Sequence, residues 1–141
     1  VPYLGAYTAT KAAVVALSES WAGELEEKGI HVSVLCPAFV QTRIHESERN
    51  RPAQYQSNEL RTSNENSFAD STKQLVESGI KVSIVGKRVV EALNDGEFYI
   101  FTHPNYRSIM QGRTAAIDAA FIKSAQSPLL EHIVNQKIEM P

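Results

Sequence analysis

The amino-acid sequence predicts an α/β fold in which helices alternate with short parallel strands, and three observations carry that prediction. A helical pattern runs from about residue 7 to 28 and stops at Gly29. An alternating apolar segment, residues 30–36, comes directly after it and is ended by Pro37. The order helix, turn, strand then returns over residues 83–93, Asn94-Asp95-Gly96 and Phe98-Tyr99-Ile100-Phe101.

Each element has its own signature. In the first helix Val14, Leu17, Trp21 and Leu25 form an apolar stripe, while Ala9, Ala13, Ala16 and Ser20 form a second face of small side chains. Two such faces predict a helix covered on two sides, by the sheet and by a second helix. The next strand places Ile30, Val32, Val34 and Cys36 on one side and His31, Ser33 and Leu35 on the other. Residues 43–80 are polar, with one helix expected to about Arg51, ended by Pro52, and another over residues 70–78, ended by Gly79. The weakly patterned stretch between them has the length of a functional lid or of a disordered segment, and Tyr55, Leu60 and Phe68 are its apolar residues, there either to meet a ligand or to anchor the loop. Over residues 83–93 the pattern turns Ile84, Val85, Val89, Val90 and Leu93 inward. The aromatic run 98–101 reads as a buried strand ended by His103-Pro104. Beyond it Ile109, Met110, Ile117, Ala120 and Phe121, then Leu129, Leu130, Ile133 and Val134, predict two amphipathic helices.

Composition narrows the function. With 141 residues, 43% hydrophobic and a formal net charge of -2, the chain fits one ordinary globular domain, and its scattered Lys and Arg form no basic stripe for nucleic acid. Cys36 is the single cysteine and the four histidines are scattered, so neither a disulfide framework nor a metal site is expected. The longest clearly apolar run, residues 12–17, is far shorter than the roughly 18 residues that cross a bilayer. No membrane span or signal peptide is visible, and a cytoplasmic location is expected. No Gly-x-Ser-x-Gly elbow for a hydrolase occurs.

The chemistry lies in Tyr7 and Lys11. A spacing of four on a helix puts the phenol and the ammonium on one face, a turn apart. Tyrosine ordinarily titrates near ~10 and becomes an efficient acid-base catalyst at neutral pH only when its phenolate is stabilised. A cation roughly 5 Å away, at an effective dielectric of about 20, supplies on the order of 3 kcal/mol.

Tyr7-x-x-x-Lys11 stands after Gly5-Ala6, is surrounded by Ala9, Ala12 and Ala13, and is followed by a strand running into Pro37-Ala38-Phe39-Val40-Gln41-Thr42. This arrangement resembles the short-chain dehydrogenase/reductase family, whose Tyr-x-x-x-Lys precedes a helix, a strand and a Pro-Gly-x-x-x-Thr cofactor loop. Residues 3–42 carry the resemblance, with Ala38 where the family has glycine. The resemblance implies the later half of a doubly wound Rossmann-like parallel sheet with a helical lid and C-terminal helices. Within a single domain over residues 1–141, residues 1–42 would be the catalytic helix, strand and cofactor loop, 43–80 the substrate lid, and 81–141 the closing helix, last strand and C-terminal helices.

The implied activity is NAD- or NADP-dependent hydride transfer between a secondary alcohol and a ketone. By resemblance Tyr7 is the general acid/base, Lys11 assists it and holds the nicotinamide ribose, and Pro37, Ala38, Val40 and Thr42 belong to the cofactor site. Val40 would hold the nicotinamide carboxamide through its backbone, and Thr42 the carboxamide or the pyrophosphate. Thr42 also stands where an N-cap for the following residues would be. The family's glycine-rich nucleotide-binding turn and its catalytic serine have no counterpart in residues 1–141, which implies a chain inactive by itself. Ile44, the run Arg49-Asn50-Arg51-Pro52-Ala53-Gln54-Tyr55, and Tyr99-Ile100 further resemble bacterial aromatic-alcohol dehydrogenases, which implies an aromatic substrate. The family's dimers imply a homo-oligomer. The contrasting expectation is a truncated or degenerate relative, without activity, that serves as a binding or oligomerisation module.

Overall fold

The computed structural model describes residues 4–55 and 62–138. They form an α/β arrangement in two compact units, residues 1–102 and 103–141. The first unit contains α1 (Gly5–Glu26), β1 (Val34–Cys36), α2 (Ser63–Glu77), α3 (Val82–Asn94) and β2 (Tyr99–Phe101), with 3₁₀ helices at Ile44–Asn50 and Ala53–Tyr55.

α1 is rich in alanine and other good helix formers and ends where its sequence says it must. Gly29 adopts φ 67°, and the Gly29 and Ile30 amides donate back to the Glu26 and Leu25 carbonyls at 2.9 and 3.2 Å, closing the helix with a left-handed residue. α3 closes the same way. Gly96 has φ 68°, and the Glu97 amide donates to the Ala92 carbonyl at 2.9 Å.

The two strands pair in parallel, Val34 opposite Tyr99, Leu35 opposite Ile100 and Cys36 opposite Phe101. Ladder pairing limits β1 to three residues, so the strand expected over residues 30–36 is a correction. Its first four residues have no strand partner among the described residues, and Ile30 is half exposed. Val34 and Ile100, on opposite faces of the ladder, are 5% and 2% exposed and, with Ala92 and Val76, are the buried hydrophobic residues among those described. Ser33 ties the strands below the ladder, its hydroxyl donating to the Glu97 carbonyl at 2.8 Å. The Tyr99 hydroxyl donates to Glu19 Oε1 at 2.5 Å, which places α1 on the face of β2 that carries Tyr99.

Several expected faces are corrected. α1 is covered along Val15, Ser18, Ala22 and Leu25, with the Ser18 hydroxyl donating to the Val14 carbonyl at 2.8 Å, while Val14, Leu17 and Trp21 of the expected stripe stay about half exposed. In α3 the residues turned inward are Val85, Arg88, Val89 and Ala92, whereas Ile84, Val90 and Leu93 are exposed. Arg88 remains half-buried by ion pairing with Glu97, at 2.5 Å, and with Glu91, at 3.2 Å.

α2 begins at Ser63, earlier than expected, because Thr62 and Glu65 form a capping box. The Glu65 amide donates to Thr62 Oγ1 at 3.3 Å, and the Thr62 amide donates to Glu65 Oε2 at 2.7 Å. The helix expected up to Arg51 is instead the 3₁₀ helix Ile44–Asn50, kinked at Glu46 (φ -98°, ψ 20°). Leu60 lies outside the described residues.

In the second unit α4 (Arg107–Ala125) has no buried residue, and its apolar side chains are not gathered on one face. A 3₁₀ helix, Pro128–Ile133, stands after it in place of the second amphipathic α-helix expected there. No helix among the described residues is long and apolar enough to cross a membrane.

Candidate active site

Tyr7 and Lys11 project from the first turns of α1, where helical geometry alone brings them together. Lys11 Nζ lies over the Tyr7 ring, 5.4 Å from its centroid. At that distance the ammonium is drawn to the negative face of the ring. Tyr7 is 49% exposed, so its hydroxyl is open to a ligand. Thr10 Oγ1 donates to the Tyr7 carbonyl at 2.7 Å and tightens the turn that carries the pair.

The 37–42 segment leaves the carboxyl end of β1, the edge of a parallel sheet where ligands bind in open α/β folds. Its conformation is set from the far side by the end of α2. Ile80 forms an isolated parallel bridge with Val40, in which the Ile80 amide donates to the Phe39 carbonyl at 3.1 Å and the Gln41 amide donates to the Ile80 carbonyl at 2.9 Å. In such a bridge Ile80 uses groups of the residues flanking Val40, so Val40's own N–H and C=O point away from it. A backbone donor and acceptor side by side, directed outward from a fixed loop, suit a primary amide. The donor set therefore fits a nicotinamide carboxamide. Gln41 Nε2 donates to the Glu77 carbonyl at 3.1 Å and adds a side-chain tie to the same bridge.

Thr42 takes part in a weaker arrangement. Its Oγ1 accepts from the Ile44 amide at 3.4 Å, but the N-cap position of the 3₁₀ helix is Arg43, so Thr42 is not the cap that the sequence suggests. Behind it Glu46 gathers basic side chains. Arg43 Nη2 stands 2.6 Å from Glu46 Oε2, His45 Nε2 3.6 Å from Oε1 and Arg49 Nη1 3.8 Å from Oε2. The Arg43 hydrogen bond holds the Glu46 carboxyl below its ordinary range. Arg49 Nη1 also donates to the Arg43 carbonyl at 2.7 Å, which fastens the helix to the residue after Thr42. Burial pushes the Cys36 thiol up, away from the thiolate a reactive cysteine needs.

The structure thus brings Tyr7 to Lys11 and fixes Pro37, Ala38, Val40 and Thr42 in one loop. Among the described residues no hydrogen bond joins the Tyr7 or Lys11 side chain to that loop. Tyr55 is exposed and Phe68 partly buried. Sequence reasoning missed the clamp formed by Gln41, Gly79 and Ile80. Its one visible sign was Gly79, which reads locally as a helix stop. No group of three or more His, Cys, Asp and Glu side chains able to hold a metal occurs among the described residues.

The site is thus a helix carrying Tyr-x-x-x-Lys and a parallel sheet whose first strand runs into a loop fixed by Ile80. Residues 1–53 match the family model of the short chain dehydrogenases. A "CLA biosynthesis dehydrogenase/reductase" of Lactiplantibacillus plantarum is 31% identical over 121 residues, spanning 82% of this chain and 42% of that protein. A "C alpha-dehydrogenase" of Sphingobium is 33% identical over 113 residues, spanning 80% of this chain and 36% of that protein. The crystal structure of a short-chain dehydrogenase/reductase from Burkholderia phymatum in complex with NAD superposes with a TM-score of 0.76 at 29% identity, covering 96% of this chain and 46% of that one. The chain belongs to the short-chain dehydrogenase/reductase family and has its Rossmann-like α/β fold. It spans roughly two-fifths of the length of the two relatives.

Proposed function

We propose that this chain supplies the proton-transfer and nicotinamide-side elements of an NAD(P)-dependent oxidoreductase that interconverts a secondary alcohol and a ketone. The observation that carries the reading is the Tyr7–Lys11 pair, with the ammonium 5.4 Å from the ring of an open phenol. A nicotinamide cofactor, when bound, gives or takes the hydride. Tyr7 gives its hydroxyl proton to the carbonyl oxygen during reduction, or its phenolate takes the alcohol proton during oxidation. Lys11 stabilises that phenolate and bonds the nicotinamide ribose. The Val40 backbone receives the carboxamide, Pro37 and Ala38 shape the loop that presents it, and Thr42 adds a hydroxyl. The pyrophosphate cradle and the substrate-polarising serine are assigned to sequence outside residues 1–141. The substrate class is a small alcohol or ketone, with an aromatic one favoured by the run that includes Tyr55.

Steady-state kinetics on the full-length protein test the assignment. Tyr7→Phe should lower turnover by on the order of a hundredfold while leaving cofactor affinity nearly intact, and near-normal turnover would remove Tyr7 from the mechanism.

One observation favours a second reading, an inactive binding or oligomerisation module. Val14, Leu17 and Trp21 on α1 are 53%, 48% and 46% exposed, an apolar stripe suited to a partner surface. NADH or NADPH titration of the full-length protein, with turnover followed alongside, separates the two readings. Turnover there supports the enzyme, and a full-length protein that binds neither cofactor supports the module.

A further inference from the structure

The end of the lid helix and the cofactor loop meet at Gly79, and the contact is too close for any other residue. A Cβ built on Gly79 would lie 2.4 Å from the Phe39 carbonyl oxygen, 2.6 Å from its carbon and 2.9 Å from the Val40 nitrogen. Those are backbone atoms, which cannot swing aside as a side-chain tip can. Gly79 differs in this from Gly29 and Gly96, which are required by their positive φ and have open space around them. The close approach is what lets Ile80 reach both Phe39 and Gln41.

We propose that Gly79 is a positioning residue: by admitting the 37–42 backbone against the last turn of α2, it holds the outward N–H and C=O of Val40 in the register that receives the nicotinamide carboxamide. The proposal rests on the oxidoreductase reading given above. It couples two parts of the protein. In the oxidoreductase reading residues 43–80 are the substrate lid, so the lid's far end would be the support on which the cofactor loop is built, and Gln41 adds its bond to the Glu77 carbonyl at the same place. A substitution at Gly79 has to move either the loop or the helix end, although neither Tyr7 nor Lys11 is touched.

The test uses the full-length protein with Gly79→Ala, Gly86→Ala and Gln41→Ala. Gly86, within α3, has open space where a Cβ would go and controls for the general effect of adding a methyl group. Hydrogen exchange of the cofactor-free protein should accelerate at the Gln41 and Ile80 amides in Gly79→Ala by at least about tenfold, with the Val89 and Ala92 amides of α3 unchanged. NADH or NADPH affinity, whichever the wild type binds, should fall by at least about tenfold in Gly79→Ala and not in Gly86→Ala. Gln41→Ala loses one exposed hydrogen bond and should weaken binding by about threefold; it serves as the readout if Gly79→Ala does not fold. Unchanged exchange at Gln41 and Ile80 in a folded Gly79→Ala overturns the proposal, as does accelerated exchange with unchanged cofactor affinity. For Gln41→Ala used alone, unchanged affinity overturns it. A wild type that binds neither cofactor overturns the oxidoreductase reading and this role with it, whereas a wild type that binds beside an unaffected Gly79→Ala overturns this role alone.

Discussion

Replacing Lys11 by methionine removes the charge beside Tyr7 while keeping side-chain length, and the structure sets the size of the effect. Taking the 5.4 Å from Nζ to the Tyr7 ring centroid as the charge separation, the attraction for a phenolate is about 3 kcal/mol at an effective dielectric of 20 and about 0.8 kcal/mol in water. These convert to roughly 150-fold and roughly fourfold in rate. Tyr7 is 49% exposed here, so the larger figure requires substrate and cofactor to cover the pair during turnover. The expected outcome for Lys11→Met in the full-length protein is therefore a loss of on the order of a hundredfold in kcat, joined by weaker cofactor binding because the ribose contact also goes. Lys11→Arg keeps the charge and should recover part of the turnover without restoring the ribose contact. Cofactor fluorescence gives Kd and alcohol oxidation at saturating cofactor gives kcat. A Lys11→Met enzyme within twofold of wild-type kcat would refute the electrostatic role, and an unchanged Kd would refute the ribose contact.

Particular contacts set three further outcomes. Glu46 is held below the ordinary glutamate range of about 4.3 first by its Arg43 hydrogen bond, so the stabilisation it provides is present above that value and lost as pH falls through the lower folded value; Arg43→Ala should raise its NMR titration midpoint, and an unmoved midpoint would discount the pair. Thr62→Ala removes the Thr62 half of the α2 capping box and should cost about 1 kcal/mol in denaturant unfolding, with Thr62→Ser close to wild type. Hydrogen exchange over residues 53–70 should slow when cofactor and substrate are added together, and equal exchange with and without them would make the segment fixed scaffold.

The sequence made legible whatever short-range geometry controls. The Tyr7–Lys11 approach is a consequence of helical periodicity, and both helix stops, Gly29 and Gly96, announce a left-handed residue that other side chains resist. Strand length was not legible, because residues 30–33 alternate as well as residues 34–36 do but only the latter meet Tyr99–Phe101. The start of α2 was written in Thr62-x-x-Glu65, yet the polar residues from Ser63 to Ser67 give no apolar period to announce a helix. The apolar stripes of α1 and α3 show which side is greasy, not which residues this chain covers. The clamp at Gly79 joins residues distant in sequence, and a glycine that is needed for space looks locally like a glycine that is needed for a turn.

These differences separate the site into two kinds of part. The Tyr7–Lys11 pair is built by one helix, and the loop is built by β1 on one side and by Gly79 and Ile80 on the other, all through contacts within residues 1–102. Neither part depends on the α1 stripe being covered, since Val14, Leu17 and Trp21 are half exposed while the Tyr7–Lys11 approach and the Val40 bridge are both in place. Covering of the Tyr7–Lys11 pair itself, by substrate and cofactor, would add a lower dielectric. By the Coulomb estimate, that changes the Lys11 contribution from about 0.8 to about 3 kcal/mol with no movement of either residue. Geometry and electrostatic strength are thus supplied separately: the helix sets the Tyr7–Lys11 approach, and the substrate and cofactor that cover the pair during turnover set how strongly Lys11 acts, so Lys11→Met should cost far more in kcat than any change in the position of Tyr7 would explain.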